Sequence, residues 1–136
     1  MKYYLIAGEA SGDLHGSNLM KSIKEFDNGA QFRFWGGNLM AEHGGEPVKH
    51  YSEMAFMGFI KVVLNIRKIN NNLNICRADI LKYKPDVVIL IDFAGFNLQI
   101  AKFAKQNRFK VFYYISPKIW AWKTNRVKKI KKYKKK

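Results

Sequence analysis

Three loop motifs in this 136-residue chain each follow directly on a short apolar run. Gly8-Glu9-Ala10-Ser11-Gly12-Asp13 follows Tyr3–Ala7, and Asp92-Phe93-Ala94-Gly95-Phe96-Asn97 follows Val87–Ile91. Ser116-Pro117-Lys118-Ile119-Trp120-Ala121-Trp122 follows Val111–Ile115. Short runs rich in β-branched and aromatic residues, bounded by turn residues, read as strands. The unbroken Val87–Ile91 run suits a strand buried on both faces of a parallel sheet. In an open parallel sheet all strand C-termini share one edge, and ligands bind in the crevice outside it. The three motifs, tens of residues apart, are therefore expected to meet in one place.

The segments between them alternate. Ser11-Gly12-Asp13 opens a helix on which Leu14, Leu19, Ile23 and Phe26 recur at roughly helical spacing. Gln31–Trp35 is a second strand stopped by Gly36-Gly37, and Leu39–His43 is a short helix ended by Gly44-Gly45. Pro47–Tyr51 reads as a third strand, and Ser52 can cap the helix that follows, with Ala55–Gly58 in its first turns. A long helical stretch over about Phe59–Lys84, in one piece or in two around Asn70-Asn71-Asn72, ends at Pro85. Asn97–Gln106 is a further helix, and a basic helix runs from Lys123. The order β-α repeated five times implies an α/β fold, a Rossmann-like doubly wound parallel sheet with right-handed crossovers. Length fits one domain, and no repeat or linker interrupts it.

Composition narrows the function classes. A hydrophobic fraction of 48% excludes a wholly disordered chain. The single cysteine, Cys76, excludes an internal disulfide framework; its helical setting predicts a buried thiol, and a reducing compartment fits. Tyr3–Ala7 is too short for a signal-peptide core. No run approaches the ~20 apolar residues of a membrane-spanning helix. The net charge of +15 is partly a tail property, because residues 123–136 hold nine of the 25 Lys/Arg and none of the 10 Asp/Glu. Such a block suits an anionic surface or is a solvated helix face. A nucleic-acid role is disfavoured, since the charge is concentrated there and no known nucleic-acid-binding motif is present.

The motifs carry the candidate chemistry. Gly8–Asp13 joins a strand to a helix, where backbone can approach a ligand and unpaired N–H groups suit an anion. It has neither the GxGxxG nor the GxxxxGK[ST] spacing, so dinucleotide and P-loop sites are disfavoured. Ser11 and Asp13 also serve as helix-start residues, while Glu9, immediately beyond a strand end, is harder to explain by capping. Asp92 on a strand tip, partly desolvated, is a candidate general base. Asn97 can orient a sugar hydroxyl or cap the next helix, whereas Phe93 and Phe96 read as packing residues. Trp120 and Trp122 can line an apolar or sugar-binding cleft or seal the domain edge, and Ser116-Pro117 is a loop entry. Met54, Phe56, Met57, Phe59, Val62 and Val63, beside Lys61, Arg67 and Lys68, form a segment apolar on more than one face. Such a segment is either a buried helix or one that rests in a bilayer interface. His15, His43 and His50 lack metal-ligand spacing, so no metal site is expected.

In combination these residues resemble the N-terminal half of the lipid-A-disaccharide synthase family, glycosyltransferases of the two-Rossmann-domain (GT-B) architecture. The resemblance covers nearly the whole chain. It rests on Gly8–Asp13 with Leu14-His15-Gly16, Phe34-Trp35-Gly36-Gly37, Met57-Gly58-Phe59, the Asp92–Asn97 loop, and Ser116-Pro117 with Trp120-Ala121-Trp122. One departure is Ala94, where the family usually has proline two residues after the loop aspartate. The resemblance implies transfer of 2,3-diacylglucosamine from its UDP derivative to 2,3-diacylglucosamine 1-phosphate. The products would be the β(1→6) disaccharide precursor of lipid A and UDP, formed with inversion and without cofactor or metal.

On that implication Asp92 is the candidate catalytic base, with Glu9 as the alternative. Glu9, Ser11, Gly12, Asp13, Asn97, Ser116, Trp120 and Trp122 are substrate contacts, and the apolar segment meets acyl chains or the membrane. The protein would be cytoplasmic and peripheral on the anionic inner-membrane face, which attracts Lys and Arg. Because the nucleotide-sugar site of this architecture lies mostly on its second domain, the chain is expected to be the acceptor-side half and nearly inactive alone. Two competing readings are a non-catalytic lipid-binding module and another sugar-nucleotide enzyme such as an epimerase, the latter opposed by the first and third motifs together.

Overall fold

The computed structural model describes residues 1–54 and 66–114. Their elements are β1 (Lys2–Ala7), α1 (Ala10–Phe26), β2 (Gln31–Gly36), α2 (Asn38–Ala41), β3 (Glu46–His50), a 3₁₀ turn (Tyr51–Glu53), α3 (Ile66–Tyr83), β4 (Val87–Ile91), α4 (Ala94–Gln106) and β5 (Lys110–Tyr114). The five strands form one parallel sheet in the order β3-β2-β1-β4-β5. The chain winds outward from β1 through β2 to β3, then returns beside β1 to place β4 and β5 on the other side. The doubly wound expectation is met, and the winding reverses between β1 and β4.

Period-two alternation of side chains along each strand divides the core into two layers. Tyr4 and Ile6 of β1 face one way, with Val88, Leu90, Val111 and Tyr113, and pack against α3 and α4. Tyr3, Leu5 and Ala7 face the other way, with Phe32, Phe34, Ile89 and Ile91, against Met20 of α1 and Met40 of α2. β1 and β4 are apolar at nearly every position because both faces are covered.

Several elements depart from the sequence expectations. β3 spans Glu46–His50 rather than Pro47–Tyr51 and lies at the sheet edge. There Pro47, which cannot donate, is tolerated, and the register slips between Phe34 and Trp35. The turn after it is capped by His50 rather than by Ser52. His50 Nδ1 accepts from the Ser52 amide at 3.1 Å, and Glu53 Oε2 accepts from the His50 amide at 3.1 Å. α3 runs unbroken through Asn70–Asn72, because Asn72 faces inward, 1% exposed, and its Oδ1 accepts from Lys49 Nζ at 2.9 Å. α4 starts at Ala94, three residues before the expected Asn97, since a left-handed Phe93 serves as its N-cap.

The α3–sheet interface contains a polar network that sequence reading missed. Arg33 grips Asp79 with two hydrogen bonds of 2.7 Å. Tyr4 donates to Asp79 Oδ2 at 2.7 Å, and Trp35 Nε1 donates to the Tyr4 hydroxyl at 2.7 Å. Burial opposes the charge on Asp79, but the Arg33 and Tyr4 hydrogen bonds outweigh it and hold the carboxyl below its ordinary range. Burial pushes the Tyr4 hydroxyl and the Cys76 thiol well up. Cys76 is buried, as expected of a core thiol.

Candidate active site at the strand switch point

The loops after β1 and β4 flank the point where the strand order reverses, the place where an open α/β sheet offers its crevice. They touch. A Cβ on Gly8 would overlap the Phe93 ring, so glycine is required for the first loop to lie against the second.

The first loop divides its residues between rim and interior. Glu9 is exposed and is the N-cap of α1 by position, without a side-chain capping bond. The Ser11 hydroxyl donates to Glu9 Oε1 at 3.1 Å, so these two candidates form one polar pair on the rim. Gly12 is buried; a Cβ there would sit 3.1 Å from Ala7 Cβ, which lets α1 approach β1 closely. Asp13 is corrected from substrate contact to structural anchor. It is 3% exposed, and its carboxylate accepts from the amides of Gly37 (2.8 Å), Met40 (3.0 Å) and Leu39 (3.1 Å). A carboxylate so placed binds the unpaired N–H groups at the start of α2 and ties α1 to the loop after β2.

The second loop is strained. Asp92 and Phe93 both have left-handed backbones, at φ of 48° and 53°. Non-glycine residues adopt this region at a cost, and such residues cluster at functional sites. Asp92 is 6% exposed, and its Oδ2 is buried without a hydrogen-bond partner among the described residues. A buried carboxylate oxygen with no donor is costly, and it marks a place where a ligand group can supply one.

Asn97 is fully buried and is neither cap nor rim residue. Its Nδ2 donates to the carbonyl of Asp92 at 2.7 Å and lies 3.3 and 3.4 Å from those of Ile6 and Ile91. The amide nitrogen thus staples the ends of β1 and β4, while Asn97 Oδ1 is buried without a partner among the described residues. Tyr113 of β5, unremarked in the sequence, donates its hydroxyl to the same Asp92 carbonyl at 3.1 Å. Phe93 and Phe96 pack as expected, their rings 5.3 Å apart. His15 of α1 approaches Tyr114 at the end of β5, with ring centroids 6.4 Å apart.

Of the apolar segment, only Met54 is described, and it is corrected. It is wholly buried in the α3 layer of the core and offers nothing to a membrane. Phe56, Met57, Phe59, Val62 and Val63 lie outside the described residues, as do Ser116, Trp120 and Trp122. Among the described residues no cluster of three His, Cys, Asp or Glu could hold a metal, and no helix is long and apolar enough to cross a membrane. A cavity of about 500 Å³ lined by Lys24, Gln31, His43, Glu46 and Tyr83 opens at the opposite, N-terminal edge of the strands, remote from Asp92.

A family model described as lipid-A-disaccharide synthetase matches residues 3–136. The chain belongs to that family. A lipid-A-disaccharide synthase from Coxiella burnetii (strain Dugway 5J108-111) is 42% identical over 129 residues, which are 95% of this chain and 34% of the relative. One from Geobacter metallireducens is 46% identical over 126 residues, 93% of this chain and 33% of the relative. The chain therefore spans about a third of the length of the curated relatives it matches. The fold is shared more widely. The solved structure of UDP-GlcNAc 2-epimerase from Neisseria meningitidis bound to UDP-GlcNAc superposes with a TM-score of 0.57 at 9% identity, covering 98% of this chain and 39% of that one.

Proposed function

We propose that the chain is the acceptor-side domain of a glycosyltransferase that makes the lipid A disaccharide. The donor would be UDP-2,3-diacylglucosamine and the acceptor 2,3-diacylglucosamine 1-phosphate. The observation that carries the reading is Asp92, whose buried Oδ2 lacks a donor among the described residues and lies at the switch point of the sheet. Membership of the lipid-A-disaccharide synthetase family supports the substrate class.

The chemistry follows from a carboxylate in that setting. The acceptor 6-hydroxyl donates to Asp92 Oδ2 and gives the oxygen its missing hydrogen bond. As the hydroxyl oxygen forms its bond to the donor anomeric carbon, its proton passes to Asp92. The bond from that carbon to the diphosphate breaks, and UDP leaves with the electron pair. Attack opposite the leaving group inverts the anomeric centre. A positioned base of this kind contributes on the order of 10²–10⁴ in rate. The Glu9–Ser11 pair on the rim is suited to sugar hydroxyls, and Ser116, Trp120 and Trp122 to the remainder of the sugar. Phe56, Met57, Phe59, Val62 and Val63 would meet acyl chains, on an anionic cytoplasmic membrane face that attracts the Lys/Arg-rich residues 123–136.

The experiment is mass-spectrometric detection of disaccharide. The chain is incubated with both substrates in detergent, alone and with the C-terminal two-thirds of a family member. Product in the mixture that disappears with Asp92→Asn is the expected result. Product that survives the substitution would remove Asp92 from the chemistry. Liposome binding by the chain without product in either mixture would favour a non-catalytic lipid-binding module.

A further inference from the structure

Two buried side chains from different elements converge on one backbone atom. The Asp92 carbonyl oxygen accepts from Asn97 Nδ2 of α4 at 2.7 Å and from the Tyr113 hydroxyl of β5 at 3.1 Å. Asn97 is 0% exposed and Tyr113 2%, so the two groups that grip the carbonyl are interior ones.

The peptide they grip is the strained one, joining Asp92 at φ 48° to Phe93 at φ 53°. Left to itself, such a pair relaxes toward the right-handed or extended region and swings the Asp92 Cβ away from its direction at the sheet edge. A carbonyl fixed by two donors fixes the plane of its peptide, and with it ψ of Asp92 and φ of Phe93. The same Nδ2 lies within 3.3 and 3.4 Å of the Ile6 and Ile91 carbonyls, so the hold is referred to both central strands rather than to the loop. On the other side, Gly8 leaves only enough room for the Phe93 ring.

We propose that Asn97 and Tyr113 are positioning residues that lock the left-handed Asp92–Phe93 turn through the Asp92 carbonyl and so aim the Asp92 carboxylate. The proposal rests on the reading of Asp92 as base. A packing role for Tyr113 would require only its ring; a positioning role requires its hydroxyl.

Tyr113→Phe separates the two. In the reconstituted mixture, kcat should fall about tenfold with KM held within about twofold, because misaiming a base slows the chemical step without weakening ground-state binding. In an Asp92→Asn background the same substitution should cost nothing further, since the two act as one unit. NMR couplings of the chain should report positive φ at Asp92 and Phe93 in the parent, and a mixture of conformers there in Tyr113→Phe, with the remaining resonances unmoved. Asn97→Ala should act in the same direction and more strongly; should it fail to fold, Tyr113→Phe decides alone. An unchanged kcat with unchanged couplings would overturn the proposal, as would a loss that simply adds to that of Asp92→Asn. Retained activity in Asp92→Asn would sink the base reading instead, and the couplings would still decide whether the hydroxyl holds the turn.

Discussion

The α3–sheet interface and the turn after β4 each enclose an aspartate, Asp79 partly and Asp92 almost wholly, and treat it in opposite ways. Asp79 has relaxed surroundings and a full set of donors, two from Arg33 and one from Tyr4. Asp92 sits on a left-handed backbone, and its Oδ2 has no partner among the described residues. Asp13 sides with Asp79, its carboxylate taken up by three backbone amides. Two carboxylates are taken up by donors, whereas the one on the strained turn at the sheet's switch point keeps an oxygen without a partner among the described residues, the contrast expected if Asp92 is the proposed base. Satisfied charge stabilises a fold; unsatisfied charge in a strained turn is tolerated where chemistry needs it.

The contrast can be broken from the scaffold side first. Arg33→Ala leaves Asp79 without its main partner and should cost about 2 kcal/mol of stability, read from urea unfolding. Asp13→Ala strands three amides around the start of α2 and should cost about 2 kcal/mol, with faster hydrogen exchange at Gly37, Leu39 and Met40. The site should respond with the opposite sign. Asp92→Gly relieves a left-handed backbone and should raise stability by about 1 kcal/mol, a gain in thermal midpoint accompanied by loss of function. A destabilising Asp92→Gly would mean that the turn is scaffold after all.

A pH titration sharpens the comparison by direction alone. The Asp79 carboxyl is held below its ordinary range in the folded state. The stability it brings is therefore complete above about pH 4, its unfolded value, and is lost as pH falls through the lower folded value. Tyr4 and Cys76 are raised by burial. Their contributions are complete below about pH 8.5 and decline as pH rises through and beyond the unfolded values of about 8.5 and 10. Thermal midpoints from pH 3 to pH 11 should fall at both ends, and Asp79→Asn should flatten the acid limb most and the alkaline limb slightly, since the Asp79 charge adds to the rise of Tyr4 and Cys76.

What the sequence disclosed follows from how local each signal is. Val87–Ile91 was legible as a central strand because burial on both faces writes an unbroken apolar run, and Tyr3–Ala7 was legible as a strand. Asp92 was legible as a candidate because it sits directly on a strand end. The start of α4 was not, since a non-glycine left-handed cap such as Phe93 leaves no compositional mark; reading the helix from Asn97 then made a buried staple look like a cap or sugar contact. Met54 looked like surface because a buried apolar segment and a membrane-facing one share a composition. Asp13 looked like a helix-start residue, and only the fold brings the Gly37–Met40 amides to it. Arg33 and Asp79, or Asp92 and Tyr113, are tens of residues apart and meet only through sheet order, which no local pattern encodes.

Whether Asp92 is the base is decided by the rate of disaccharide formation in the reconstituted mixture carrying Asp92→Asn. Asparagine keeps the shape and cannot take the proton. If the carboxylate takes the proton, the rate falls at least about a hundredfold with KM for the acceptor little changed and the fold intact. A rate within a few-fold of the parent would contradict it, and would return the strained turn after β4 to the category of structure.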